Sequence, residues 1–249
     1  MVKKNYTAII QARCSSTRLP NKIFRKLGNN ALIEVLLDRL SMSLFLDDII
    51  IATSTNKSDD EIEKFCLEKN LKYFRGDLDD VLSRFYFCAS EMNLDNIVRI
   101  TADDPFKDPK VIDHAIRLFD ENKYDYVSNT IKPTFPEGID VEVFSFDALE
   151  KAYESSKLKS ERLHVTPYIW KNPNLFSVHN FTNEIDYSNI RLTVDYEEDI
   201  IYLNNIFSHI NSIDCSFADI INIIDKYSII NDKKTIRNEG YKRDEENEN

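Results

Sequence analysis

The sequence predicts an α/β protein built on a mostly parallel mixed sheet with helices on both faces. Three observations carry that prediction. Short apolar runs alternate along the first half of the chain with segments whose apolar residues recur at helical spacing. The 249 residues are 42% hydrophobic, enough to bury a large core. The chain is acidic, with a formal net charge of -11, yet its most informative basic segment directly follows the first apolar run. That is where open α/β sheets bind ligands.

The elements follow in order. Thr7–Ala12 (TAIIQA) reads as a buried strand, followed by the polar loop CSSTRLPNK. Leu32, Val35, Leu36 and Leu40 place a helix over 31–41. Ile49–Ala52 is a buried strand closed by Ser54, Thr55 and Asn56, and 59–69 a helix with Asp59 as its N-cap. A strand at 72–74, a helix at 81–92, a strand at 97–100, a helix at 109–122 opening on proline, and a strand at 126–128 continue the rhythm. Beyond about residue 130 the texture changes. Residues 140–144 (DVEVF) alternate like a strand with one polar face, 145–155 is helical, 176–181 and 190–194 are strands, and 197–210 is a helix. The chain is expected to form one domain over 1–232, with a nucleotide-binding half at about 1–130 and an acceptor or dimerisation half at about 131–232. Residues 233–249 are charged and Asn-rich, and are expected to be a disordered tail.

The loop Gln11–Lys22 (QARCSSTRLPNK) gathers Arg13, Arg18 and Lys22 with Ser15, Ser16 and Thr17. Three cations and several hydroxyl and backbone donors suit a triphosphate. A solvated basic loop is the alternative. The loop contains no glycine, so it is neither a P-loop nor a dinucleotide fingerprint.

The run IIQARCSSTRLPNK resembles the signature loop of the cytidylyltransferase-like families, among them 3-deoxy-manno-octulosonate and acylneuraminate cytidylyltransferases. Over nearly the whole chain the resemblance is strongest to the spore coat polysaccharide biosynthesis protein F type. It implies a Rossmann-like fold of the nucleotide-diphospho-sugar transferase (GT-A-like) kind, and a loop that wraps the triphosphate with Arg13, Ser15, Arg18 and Lys22. Gln11, Ala12, Ser16 and Thr101 join the nucleotide site. The family pattern has glycine where this chain has Asn21, which bears on the turn but leaves the cations in place. The element FRGDLDDVLSRF (74–85) matches a second motif that lies beside the base and sugar, which brings in Arg75 and Asp80. A helix N-terminus with favoured acidic residues is the bland alternative.

Nucleotidyl transfer needs a divalent cation, Mg²⁺ or Mn²⁺, and one or two protein carboxylates suffice to hold it with the phosphates. Asp103 in RITADDP closes the strand at 97–100 and is the expected ligand; the family equivalent has glycine at Ala102, and Asp104 falls where the pattern varies. Asp195 in LTVDYEED is the second, unless it caps the helix that follows; the two roles are compatible. Asp140 and Glu142 share one strand face, which the resemblance places near the acceptor, with an exposed edge-strand face as the alternative. Arg162 and His164 in SERLHVTPY, which also matches the spore-coat type, are candidates for an anionic acceptor, against a structural role for the histidine. His114, His179 and His209 have no supporting pattern.

The reading is therefore a nucleotidyltransferase. An acceptor oxygen attacks the α-phosphorus in line, pyrophosphate leaves, and Arg13, Arg18 and Lys22 carry the catalytic positive charge for the β- and γ-phosphates. CTP is favoured because the loop resembles cytidylyltransferases more than G-x-G-T-R uridylyl or guanylyl enzymes. The acceptor is expected to be a sugar acid or phosphorylated small molecule for a surface polysaccharide. Two rivals stand: a GT-A glycosyltransferase, which usually carries D-x-D where this chain reads TADDP, and a non-catalytic nucleotide-binding module. Cys14, Cys66, Cys88 and Cys215 show neither metal nor disulfide spacing and read as reduced thiols. The N-terminus lacks a signal-peptide pattern and no run approaches the roughly 20 apolar residues of a membrane span. A cytoplasmic protein with small-molecule substrates, no nucleic acid and no membrane insertion is expected. The aromatic stretch 168–181 serves either a homodimer interface or the core.

Overall fold

The computed structural model describes residues 5–231, 237 and 239–248. The chain opens with strand β1 (Tyr6–Gln11), a 3-10 turn at Lys22–Phe24 (a second lies at Lys57–Asp59), the short hairpin β2 (Lys26–Leu27) and β3 (Asn30–Ala31), and helix α1 (Leu32–Leu40). Then come β4 (Asp48–Ser54), α2 (Asp60–Glu68), β5 (Lys72–Gly76), α3 (Val81–Glu91), β6 (Asn96–Thr101), α4 (Pro109–Asn122) and β7 (Tyr126–Ser128). The second half adds β8 (Glu142–Ser145), α5 (Phe146–Ser155), α6 (Lys159–His164), α7 (Pro167–Lys171), β9 (Val178–Asn180), α8 (Glu197–Phe207), α9 (Phe217–Tyr227) and α10 (Glu239–Glu246).

Among the described residues, seven strands form one sheet in the order β5-β4-β1-β6-β8-β7-β9. The strands pair in parallel except β8, which runs antiparallel to both β6 and β7. The alternation within β1 divides the core. Ala8 and Ile10 face a cluster that includes residues of α1, α4, α8 and α9, whereas Ile9 faces one that includes α3, α5 and α7. Helices therefore cover both faces, as the sequence predicts.

Three expectations need correction. Residues 190–194 do not join the sheet. They form an extended strip in which Glu137 N–H donates to Ile190 O at 2.9 Å, Leu192 N–H to Glu137 O at 2.7 Å and Val194 N–H to Asp103 O at 2.9 Å. Gly138 permits this approach: at φ +103°, a Cβ there would stand 2.8 Å from the Leu192 carbonyl. Asp59 holds the N-cap position of α2 but makes no side-chain cap bond. Its buried carboxylate instead accepts from Cys14 N–H at 2.8 Å and from Ser54. Part of the expected disordered tail is helix α10, held by ion pairs and by Tyr241 against Trp170; residues 232–236, 238 and 249 lie outside the described residues. Of the aromatic stretch, Phe176 and Phe181 are buried in the core. No helix among the described residues is long and apolar enough to cross a membrane.

Candidate active site

The strand order reverses beside β1: β4 and β5 lie on one side, β6 on the other. The crevice at the carboxyl ends of β1 and β6 is therefore the topological switch point. Two loops meet there. The loop after β1 is fastened by its apolar residues Cys14, Leu19 and Ile23, all buried, while Arg13 and Arg18 are exposed and Lys22 half-buried. Backbone bonds close it, from Ala12 N–H to Ala52 O at 3.1 Å and from Asn21 N–H to Cys14 O at 3.0 Å. Asn21 takes a left-handed conformation, φ 54°. Asparagine is among the few residues other than glycine that visit this region routinely, so the departure from the family pattern preserves the turn.

The strip 190–194 brings the two expected metal carboxylates together. Because Val194 N–H bonds to Asp103 O, Asp195 emerges beside the end of β6. The Lys22 ammonium lies between the carboxylates, 2.5 Å from Asp103 Oδ2 and 3.0 Å from Asp195 Oδ1, and donates to Val194 O at 2.9 Å. Asp195 also accepts from Arg18 at 2.6 Å and from Arg191 at 2.7 Å. Burial raises its pKa, but Lys22, Arg191 and Arg18 outweigh this and bring it down to about 2. Asp195 does not cap α8. Tyr196 holds the cap position, and Asp199 receives the backbone N–H groups of Asp195 and Tyr196 at 2.8 and 2.9 Å. Arg191, buried among Glu137, Asp195 and Asp199, locks the whole strip. Two oxygen-donor side chains around one positive charge fit a hard divalent cation shared with phosphate oxygens.

A cavity of about 330 Å³ opens along the basic loop, lined by Gln11, Ala12, Arg13, Ser16, Arg18 and Lys22, among others. Thr101, Asp103, Asp195 and Arg84 also line it. Among the described residues no carboxylate pairs with Arg13 or Arg84. Arg84 is nearly fully buried; burial, reinforced by the like charge of Arg13 and opposed by Asp59, pulls its pKa down to about 10. It remains cationic at neutral pH; it donates from Nη1 to Asp77 O at 3.0 Å, and its Nε has no hydrogen-bond partner among the described residues.

The adjoining cavity, about 480 Å³, shares Gln11, Arg18, Thr101, Asp103, His164 and Asp195 with the first. Asp140 and Glu142 line it, though Asp140 precedes β8 rather than lying within it. Glu142 pairs with Arg99 and accepts from Tyr126 at 2.6 Å and Thr166 at 2.5 Å; these partners outweigh burial and keep its pKa low. Asp140 pairs with Arg237, yet burial prevails and raises its pKa. His164 and Thr166 both reach this cavity because Val165 between them turns the chain at φ 73°, ψ -59°, with Thr166 N–H bonded to His164 O at 2.9 Å. Such a γ-turn at a buried β-branched residue is strained by about 1–3 kcal/mol. Burial lowers the His164 pKa although Asp244 Oδ2, 3.0 Å from its Nε2, opposes this.

Four sequence candidates do not line either cavity. Arg75 is spent on Asp60, Glu63 and the carbonyls of Ser54 and Asn56. Asp80 caps α3 through Ser83 N–H and pairs with Arg162, whose guanidinium also donates to Tyr153 O and Ser156 O. Ser15 lies outside too, whereas Ser16 is inside. Asp104, by contrast, lines the larger cavity as a buried partner of Lys107 at 2.8 Å. Sequence reasoning did not single out Arg99 or Lys107 for the larger cavity, nor Arg191, and took Arg84 only as part of a motif. A signal was available for Arg99: it stands two residues before Thr101 in a strand and so shares its face.

Comparison with known proteins gives the same answer. The chain matches the family model described as cytidylyltransferase over residues 7–221. It is 41% identical over 244 residues to the uncharacterized protein MJ1063 of Methanocaldococcus jannaschii, covering 96% of this chain and 98% of that one. It is 36% identical over 200 residues to the spore coat polysaccharide biosynthesis protein SpsF of Bacillus subtilis, covering 77% of this chain and 81% of that protein. A solved cytidylyltransferase structure from Leptospira borgpetersenii superposes with a TM-score of 0.88 at 34% identity, covering 94% and 99% of the two chains. Fold, loop and full-length similarity agree, and the chain belongs to the cytidylyltransferase family of nucleotidyltransferases.

Proposed function

We propose that the enzyme transfers CMP from CTP to a sugar acid or phosphorylated small acceptor, with Mg²⁺ and release of pyrophosphate. The observation that carries this reading is the smaller cavity, whose lining joins the guanidinium groups of Arg13 and Arg84, which have no carboxylate partner among the described residues, with the carboxylates of Asp103 and Asp195 and the Lys22 ammonium paired to both. Guanidinium groups with no carboxylate to neutralise them suit phosphate oxygens, and paired carboxylates suit the metal that travels with them.

Asp103 and Asp195 would hold Mg²⁺, which when bound neutralises the α-phosphate and the leaving pyrophosphate. Arg13 and Arg84 bind and orient the nucleotide. Lys22 and Arg18, which pair with Asp103 and Asp195, lie where they can meet phosphate oxygens and stabilise charge on the leaving group. The larger cavity takes the acceptor, with Asp140, Glu142 and His164 in its wall. Covalent participation by the protein is not required; positioning and electrostatics supply the rate. A cytoplasmic setting fits the four free cysteines, and a role in surface polysaccharide synthesis fits the name of the Bacillus relative.

The test is pyrophosphate release with Mg²⁺, each of four nucleoside triphosphates, and a panel of sugar acids and sugar phosphates. CTP-specific release that Asp103→Asn abolishes supports the reading. Release of nucleoside diphosphate from a nucleotide sugar, or turnover intact in Asp103→Asn, sinks it.

A further inference from the structure

The larger cavity has one wall that lies outside residues 7–221, the stretch matched by the family model. Helix α10 supplies it through Tyr241, Lys242 and Glu245. The helix is docked at several points. Asp244 meets His164, Glu245 pairs with Lys171, and Glu248 accepts from Ser160 N–H at 2.9 Å. Tyr241 packs edge-on against Trp170 with ring centroids 5.8 Å apart, and against His164 at 5.3 Å. Lys171 lies over both the Trp170 and Tyr241 rings, at 5.7 and 5.2 Å.

Trp170 and Tyr241 are only half-buried, in a wall otherwise made largely of charged and hydroxyl side chains. Ring surface left facing such a cavity is covered favourably by a ligand with an apolar C–H face and polar edges. A saccharide has that form, and its hydroxyls can donate to the carboxylates of Glu137, Asp140 and Glu142. The charges of the wall point to the remaining feature. Arg18, Arg99 and Lys107 are each paired with a carboxylate. Lys242 is exposed and makes no ion pair among the described residues.

Resting on the acceptor reading above, we propose that Trp170 and Tyr241 form an aromatic platform for an anionic saccharide, and that Lys242 meets its charged group. Acceptor choice then resides partly in the C-terminal helix, outside residues 7–221 that the family model matches.

Trp170 is the only tryptophan in the chain, so its emission reports on this wall. The experiment titrates the full-length protein with N-acetylneuraminate, a 3-deoxy-2-keto sugar acid, glucose 1-phosphate and neutral glucose, following Trp170 emission. Calorimetry measures CTP affinity in parallel. At least one anionic saccharide is expected to give a saturable change, and glucose to bind at least tenfold more weakly. Tyr241→Ala should weaken saccharide binding roughly tenfold, Tyr241→Phe should retain it, and Lys242→Ala should erase the preference for the anion. CTP affinity should be the same in all three. No response to any saccharide, or wild-type affinity in Tyr241→Ala, overturns the proposal. Failure to bind CTP alongside an intact saccharide response supports the platform and overturns the nucleotidyl reading alone.

Discussion

Lys22 and Asp103 stand 81 residues apart in the chain and meet at 2.5 Å, Nζ to Oδ2. The contact places a lysine where two carboxylates converge, so its charge holds Asp103 and Asp195 together. Removing it leaves Asp103 and Asp195 facing each other with like charges and deprives the transition state of a cation. Lys22→Ala is expected to lower the rate of pyrophosphate release by about 10²–10³-fold, the usual cost of losing one preorganised donor. Lys22→Arg should not restore it, because a planar fork does not replace a compact ammonium between two oxygens. Single-turnover kinetics would check both.

Asp195 makes stability depend on acid. Its carboxyl is held at about 2, below the usual 3.8, so the folded state prefers the ionised form. A depressed acid contributes fully above its unfolded pKa and loses that contribution as pH falls through the folded one. The contribution is on the order of 2 kcal/mol. It should be complete above about pH 4 and fade toward pH 2. The difference in Tm between the wild type and Asp195→Asn, measured across that range, should shrink as pH falls.

Arg75 and Arg84 should behave oppositely although they stand nine positions apart in the same motif. Arg75→Ala breaks pairs with Asp60 and Glu63 beneath the sheet edge, so it is expected to lower Tm and leave the KM for CTP within about twofold. Arg84→Ala removes a cation from the nucleotide cavity, and KM for CTP should rise tenfold or more, about 1.4 kcal/mol. Equal effects on KM would contradict the placement of Arg75.

Asn21 offers a test of the basic loop. At φ 54°, Asn21→Gly should retain activity and Asn21→Val should lose about 1–2 kcal/mol of local stability. Hydrogen exchange of Asn21–Phe24 and the KM for CTP would show whether the turn or only the global fold responds.

The sheet's parallel strands and the loop after the first one were legible because their signals are local. A buried strand is a run of apolar residues, and a phosphate site is a concentration of cations. What the sequence hid were relations set by distant partners. Residues 190–194 have strand composition, but Glu137 and the Asp103 carbonyl compete for their backbone groups, and the sheet does not receive them. Asp59 looks like a cap until Cys14 N–H and Ser54 claim its carboxylate. Arg75 and Arg162 carry the residue type that binds phosphate, yet neighbouring acids and carbonyls take every donor direction that matters. Helices α6 and α7, six and five residues long, are too short to show a period. Helix α10 is almost wholly polar, so only its docking partners explain it.

The antiparallel pairing of β6 with β8 has a consequence for motion. Four residue pairs, from Asn96–Ser145 to Arg99–Glu142, join the first half of the chain to the second through the middle of one continuous ladder. Separating the halves like jaws would tear backbone hydrogen bonds in the core of the sheet. Substrates must therefore enter and products leave by local rearrangement over a stiff floor.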